Sequence, residues 1–172
     1  STPSFRPSEF NRGIDPDYWK SLINNIDRPL RDKVIQEHYS PGSTFKVVTA
    51  IAALAEGVIN SSTEVICNGS LKFGRRNYHC WKRGGHGVVD LTKAIRESCN
   101  VFFQKAALGL DIDQIANYAS LLGLGKKTGI SLPRETSGLI PTKAWKKKSR
   151  GEEWQKGETL SCAIGQSYIL TT

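Results

Sequence analysis

Pro41-Gly42-Ser43-Thr44-Phe45-Lys46-Val47-Val48-Thr49-Ala50-Ile51-Ala52-Ala53-Leu54-Ala55-Glu56-Gly57 carries the strongest helical signal in the chain. Pro41-Gly42 punctuates its start, Gly57 ends it, and no breaker falls between Ser43 and Glu56. Its apolar residues go almost all the way round a helix, which predicts a central, buried element. Ser43 and Lys46 stand out in that apolar run. Three positions apart, they share one face within a single turn. A serine hydroxyl is a poor nucleophile until a base takes its proton, and a lysine whose charged form is disfavoured by burial can be that base. A helix N-terminus also favours negative charge developing near Ser43. A capping serine followed by an unrelated lysine gives the same letters, so this pair alone leaves both readings open.

A second element is Ser98-Cys99-Asn100, between two expected helices. The first is capped by Asp90 and runs to about Glu97; the second follows Asn100 through Val101, Phe102, Ala106 and Leu108. In a short connection alternate residues point the same way. Ser98 and Asn100 are therefore expected to face one cleft and Cys99 the opposite side. A hydroxyl to pass protons and an amide to bind a substrate carbonyl would complete a Ser/Lys acyl-transfer site.

The rest of the chain frames these elements. At 172 residues, 38% hydrophobic and 23% charged, it is long enough for one domain with a real core and has globular composition. The longest apolar stretch, Val47 to Ala55, is far short of the roughly 20 residues that cross a bilayer. No signal-peptide pattern opens the chain, so a membrane anchor or export signal is expected outside it. The net charge is +8, with basic clusters at Lys143, Lys146, Lys147, Lys148 and Arg150 and at Arg75, Arg76, Lys82 and Arg83. No nucleic-acid reading module accompanies them, so they are read as solvated faces or an attraction to anionic surfaces, and no nucleic-acid partner is expected. Ser1 to Arg12 reads as an extended segment and Asp17 to Ile26 as a short helix. Asn60 to Val89 reads as loops and short strands, and Ile112 to Leu122 as a helix with Ile115, Ala119 and Leu122 on one stripe. Beyond Gly125 irregular structure is expected until Trp145.

Ser-x-x-Lys followed by Ser-x-Asn is the motif order of penicillin-binding proteins and serine β-lactamases. Tyr39-Ser40-Pro41-Gly42-Ser43-Thr44-Phe45-Lys46 resembles the nucleophile segment of class B penicillin-binding proteins. Arg28-Pro29-Leu30, Gly123-Leu124-Gly125, Thr128-Gly129-Ile130, Ser137-Gly138 and Ala163-Ile164-Gly165-Gln166 are similar to stretches of that family. Trp81 through Gly85-His86-Gly87, with Ser98 through Phe103, resembles its elongation-type members. The resemblance implies an α/β transpeptidase fold, represented here mainly by its helical part within one domain spanning residues 1–172. It implies a nucleophile at Ser43, a general base at Lys46, a proton relay at Ser98 and an amide ligand at Asn100, with the Ser43 N–H as half of an oxyanion hole. It further implies stem peptides as substrates, β-lactams as acylating ligands, elongation-machinery proteins as partners, and a periplasmic domain on an inner-membrane anchor. Two other classes stay open: a β-lactamase or penicillin sensor, and a non-catalytic interaction module. The family's third motif is Lys-Thr/Ser-Gly on a cleft strand. Lys127-Thr128-Gly129 has those letters but follows a helix and leads into Ile130-Ser131-Leu132-Pro133, so it is read as a decoy, with the genuine sheet strands expected beyond Thr172.

Four cysteines remain. Cys67, Cys80, His86 and Cys99 fit no standard finger spacing. Cys99, however, is the residue expected to face away from the cleft, and the Gly-rich stretch from Cys67 to His86 has little apolar material to hold it. A tetrahedral Cys₃His zinc site would staple that stretch behind the Ser98 loop, with His79 as a substitute for His86. A Cys67–Cys80 disulfide and four unrelated buried residues are the competing readings. Cys162 is expected in the core and His38 on the surface.

Overall fold

The computed structural model describes residues 4–11 and 13–172. The extended reading of Ser1 to Arg12 lies in part outside them; within them, Pro7–Phe10 form a 3₁₀ turn. Helix α1 spans Pro16–Ile23, starting earlier and ending earlier than the sequence pattern indicates. Asp15 caps it by accepting from the N–H groups of Asp17 and Tyr18, and Pro16 takes the first helical position, where a missing N–H costs nothing.

The nucleophile segment is a 3₁₀ turn, Gly42–Phe45, that runs straight into helix α2, Lys46–Ala55. Ser43 thus sits one turn ahead of the α-helix proper. Val48, Ala50, Ala52 and Ala53 are buried, and among the described residues Val47 is 50% and Leu54 42% exposed.

Between α2 and the next helix the chain forms β1 (Val65–Cys67), β2 (Ser70–Phe73), β3 (Arg76–His79) and β4 (Gly87–Val89). They pair as two antiparallel ribbons, β1 with β4 and β2 with β3, the latter joining Ser70 to His79 and Phe73 to Arg76. The β2–β3 hairpin turns on two residues, with Gly74 at positive φ in the first position, where two-residue turns favour glycine.

Helix α3, Leu91–Arg96, begins where Asp90 accepts from the Lys93 N–H at 2.7 Å. Helix α4, Asn100–Leu108, is the most deeply buried element: Val101, Phe102 and Phe103 are fully covered, the two rings meeting edge to face. Each such side chain contributes roughly 1.5–3 kcal/mol by leaving water. Helix α5, Ile112–Leu121, buries Ile115 and Ala119, while Leu122 caps its end and is 53% exposed. The expected stripe therefore stops one turn early.

Two further helices follow the irregular stretch: α6, Lys143–Arg150, which starts two residues before the expected end of that stretch at Trp145, and α7, Lys156–Cys162, for which the sequence pattern sets no expectation. Both have local signals. Thr142 accepts from the Trp145 N–H and Gly151 closes α6 in the left-handed conformation, while Gln155 and Glu158 form a reciprocal capping box on α7. Their placement corrects the reading of the basic cluster. Lys146 is 2% exposed, its ammonium held by both Glu158 oxygens at 2.7 and 2.8 Å and by the Glu153 carbonyl at 3.0 Å. One lysine of this run is an internal cation; Lys143, Lys147, Lys148 and Arg150 stay at the surface.

Helix α4 packs on α2, α3 and α7, and α2 on α5, which places the start of α2, the start of α4 and the end of α7 around one point. No helix among the described residues is long and apolar enough to cross a membrane.

Candidate active site

Ser43 is exposed; Lys46, one turn on, is 3% exposed beneath it. The connection between α3 and α4 brings Ser98 and Asn100 over the lysine. Lys46 Nζ donates to Ser98 O at 2.7 Å, to Ser98 Oγ at 2.9 Å and to Asn100 Oδ1 at 2.6 Å. Ser98 Oγ in turn donates to Ser43 Oγ at 2.8 Å. The two serines and the lysine thus form one chain of hydrogen bonds, with Ser98 in the middle. All three ammonium protons are used, and none of these bonds goes from Lys46 directly to Ser43. Ser98 achieves this geometry with φ of +52°, a left-handed conformation that a side-chain-bearing residue adopts at a cost of about 1–3 kcal/mol and that concentrates at functional sites.

Burial pushes the Lys46 pKa down to about 8, against an opposing pull from the Cys80 and Cys99 sulfurs. Near neutral pH a usable fraction of this lysine is therefore uncharged, which a proton acceptor requires.

Two groups that sequence patterns do not single out hold the site from behind. Asn100 Nδ2 donates to the His79 carbonyl at 3.2 Å, so the end of β3 fixes the amide's orientation. Gly165, just past α7, lies against the residue before the nucleophile: Gly42 N–H donates to Gly165 O at 2.9 Å, and a Cβ at Gly165 would stand 2.1 Å from Gly42 O. With φ of +69° there as well, only glycine fits. The Ala163-Ile164-Gly165-Gln166 stretch signals this only as a family resemblance. Thr49 Oγ1 adds a bond to Ala163 O at 2.8 Å, tying α2 to the same turn.

Cys99, between Ser98 and Asn100, points the other way and is fully buried. It meets Cys67, Cys80 and His86, and the four candidate ligand atoms lie within 4.8 Å of one another. His86 Nδ1 is 3.6 Å from Cys67 Sγ and 3.5 Å from Cys80 Sγ. Zinc bonds of about 2.3 Å to sulfur and 2.0–2.1 Å to nitrogen at tetrahedral angles put S and N about 3.6 Å apart, so these two spacings fit. All four cysteines are free thiols, with no Cys67–Cys80 bridge, and Cys162 is fully buried elsewhere. Burial pushes the Cys99 thiol up to about 12 and the His86 imidazole below its usual value; the Cys80 thiol, which burial would raise, is held below its usual value by the N–H groups of Lys82, Asn100 and Val101. His79 is exposed and outside the cluster, and His38 is at the surface.

Lys127-Thr128-Gly129 is an exposed irregular segment. Glu135 accepts from Thr128 N and Oγ1, both at 2.6 Å, and from Gly129 N at 3.2 Å, which closes a small loop. The glycine's N–H thereby has an acceptor already.

A hydroxyl at the surface, chained through a second hydroxyl to a buried lysine of lowered pKa, is the apparatus of a serine acyl-transfer protein of the Ser-x-x-Lys class. The chain matches the penicillin binding protein transpeptidase domain over residues 1–172, and it belongs to that family. It is 39% identical over its whole length to "Peptidoglycan D,D-transpeptidase MrdA" of Acinetobacter baumannii, covering 26% of that protein. Among solved structures it resembles penicillin-binding protein 2 of Helicobacter pylori, with a TM-score of 0.96 and 35% identity, over 100% of this chain and 33% of that one. It also resembles a chain in the complex of penicillin-binding protein 2 with MreC from the same organism, with a TM-score of 0.90 and 36% identity, over 93% of this chain and 30% of that one. The chain spans about a quarter of the length of the curated relatives it matches.

Proposed function

We propose that this chain supplies the nucleophile half of a peptidoglycan D,D-transpeptidase, with Ser43 as the acylated residue. The hydrogen-bonded series Ser43 Oγ–Ser98 Oγ–Lys46 Nζ carries the reading. When Lys46 is neutral, Ser98 gives its proton to Nζ as it takes the proton of Ser43, and Ser43 Oγ attacks the penultimate D-alanine carbonyl of a stem peptide. The C–O ester forms, the C–N bond breaks, and the leaving D-alanine amine takes a proton back through the same relay. An amine of a second stem peptide then attacks the ester, forming the cross-link and restoring the Ser43 hydroxyl. A β-lactam enters at the first step and stays. Asn100, braced by the His79 carbonyl, is the ligand for the substrate amide. The Ser43 N–H, in the first turn of its helical segment, is a donor for the oxyanion.

Cys67, Cys80, His86 and Cys99 hold one structural zinc ion in this reading, since three thiolates and an imidazole suit that metal and leave no open position. Bound zinc supplies folding energy rather than chemistry, and these residues hold the backbone on both sides of Asn100: Cys99 precedes it in the chain, and Cys80 follows the His79 carbonyl that it bonds. The domain is completed by sheet strands carrying a Lys-Thr/Ser-Gly motif outside residues 1–172. The whole protein works in cell-wall elongation, anchored in the inner membrane with this domain in the periplasm. The likeness to the Helicobacter pylori protein solved with MreC supports elongation-machinery partners.

The test is fluorescent-penicillin labelling of the full-length protein. A lasting adduct mapped to Ser43 by mass spectrometry, absent in Ser43→Ala of unchanged circular dichroism, is the expected result. Rapid release of the adduct points to a β-lactamase, no adduct points to an interaction module, and either outcome, or an adduct on another serine, sinks the reading.

A further inference from the structure

Beside the catalytic cluster lies a cavity of about 610 Å³ that the reaction described above does not use. One wall is the tip of the β2–β3 hairpin, with Arg75 and Arg76; the other is α7 and the turn after it, with Ser161 and Ser167. Ser43 is not in its lining, but both walls also brace the site. The hairpin ends at His79, whose carbonyl holds Asn100, and the turn carries Gly165, whose carbonyl holds Gly42. Arg76 and His79 are the first and last residues of β3, three steps and about 10 Å of extended strand apart. The walls are fastened to each other as well. Tyr78, on the same face of β3 as Arg76, donates from its hydroxyl to Gly157 O at 3.2 Å, and a Cβ at Gly157 would stand 2.3 Å from that hydroxyl.

The charges inside this cavity are unevenly satisfied. Both carboxylates of the lining, Glu152 and Glu158, are engaged by the buried Lys146 ammonium, at 3.3 and 2.7 Å. Among the described residues Arg75 and Arg76 make no ion pair and no side-chain hydrogen bond, although they are adjacent and share the cavity. Two unpaired guanidinium groups over a recess with hydroxyls present planar donor sets matched to a carboxylate.

We propose that this cavity is a carboxylate subsite for the acceptor peptide, the one whose amine attacks the Ser43 ester; the inference rests on the transpeptidase reading. The second half-reaction is where it acts. The ester carbonyl gains a C–N bond, the C–O bond to Ser43 breaks, and Ser43 recovers a proton that the acceptor amine gives up. A side-chain amine reaching Ser43 from a residue whose carboxylate is held in this cavity is positioned rather than delivered by diffusion. A β-lactam, which completes only the first half, makes no demand on it.

The experiment uses full-length protein, a thioester donor that acylates Ser43, and γ-D-glutamyl-L-lysine as acceptor, alone and with its carboxylates converted to amides. In Arg75→Gln/Arg76→Gln the KM for the acceptor should rise at least tenfold, with kcat at saturating acceptor within threefold of wild type. The bis-amide should bind wild type about as poorly as the acid binds the double variant. Thermal melting and the rate of donor acylation report folding and the first half-reaction in the same preparations. An unchanged acceptor KM, or equal KM for acid and bis-amide in wild type, overturns the subsite. A loss confined to donor acylation places the carboxylate on the donor peptide and also overturns it. Wild type that is acylated yet passes nothing to the acceptor removes the transpeptidase reading itself, and the subsite with it.

Discussion

Lys46 is the residue on which pH acts most directly. Its pKa is pushed down to about 8 by burial under Ser98 and Asn100, and the relay runs only when its amine is neutral. The neutral fraction falls tenfold for each pH unit below the pKa. Acylation by penicillin should therefore be about tenfold below its plateau at pH 7 and about a hundredfold below at pH 6, levelling off above about pH 9. The assay is the second-order rate constant for a fluorescent penicillin on full-length protein across pH 6–9.5, with circular dichroism at each pH to exclude unfolding. Lys46→Ala should lose the pH dependence along with at least ~10²-fold of the plateau rate. Ser98→Ala, which removes the hydroxyl between Nζ and Ser43 Oγ, should lower the plateau and leave the lysine in place. A rate that stays flat from pH 6 to 9, or rises toward acid, would refute the assignment of Lys46 as base. The same shift has a stability consequence. Between about pH 8 and the ordinary lysine value of 10.5 the unfolded chain binds more protons than the folded one, so stability rises with pH across that window.

Three further substitutions probe the surroundings of the site. Gly165→Ala puts a Cβ 2.1 Å from Gly42 O at a φ of +69°, and should destabilise by about 1–3 kcal/mol and slow acylation together; an unchanged melting temperature and rate would show that the Gly42–Gly165 contact does not hold the nucleophile. Lys127→Ala should leave acylation within a few-fold of wild type, because the Lys127-Thr128-Gly129 loop is closed on Glu135; a loss like that of Lys46→Ala would make it the true third motif. Cys80→Ser should remove about one equivalent of zinc by elemental analysis, lower the melting temperature and slow acylation, whereas Cys162→Ser should leave zinc content intact; full stability in metal-free protein would rule out the zinc site.

Much of the site was legible in sequence because its geometry is local. A three-residue spacing on a helix puts Ser43 and Lys46 on one face whatever surrounds them. Alternation in a short connection separates Ser98 and Asn100 from Cys99 in the same way. Helix α2 is marked by its flanking breakers and apolar run, α3 and α5 by the caps Asp90 and Asp111, and α6 and α7 carry capping signals at Thr142, Gln155 and Glu158 that the sequence reading did not use. Packing decided the rest. That Lys46 reaches Ser43 through Ser98 rather than directly depends on where α4 lies against α2, and Ser98 meets that position only in a left-handed conformation. That Lys146 is an internal cation while its neighbours in the same basic run face water follows from α7 bringing Glu158 beneath it. Cys67, Cys80, His86 and Cys99 converge because two ribbons fold back behind α4, across separations of up to 32 residues that no local period encodes. The sequence by itself determined which groups could do the chemistry, since residue type and short spacing set a side chain's reactivity and the face it shares. Only the tertiary structure decided which of them meet, which are charged and which are dry, because contacts between distant segments and the exclusion of water arise when elements pack.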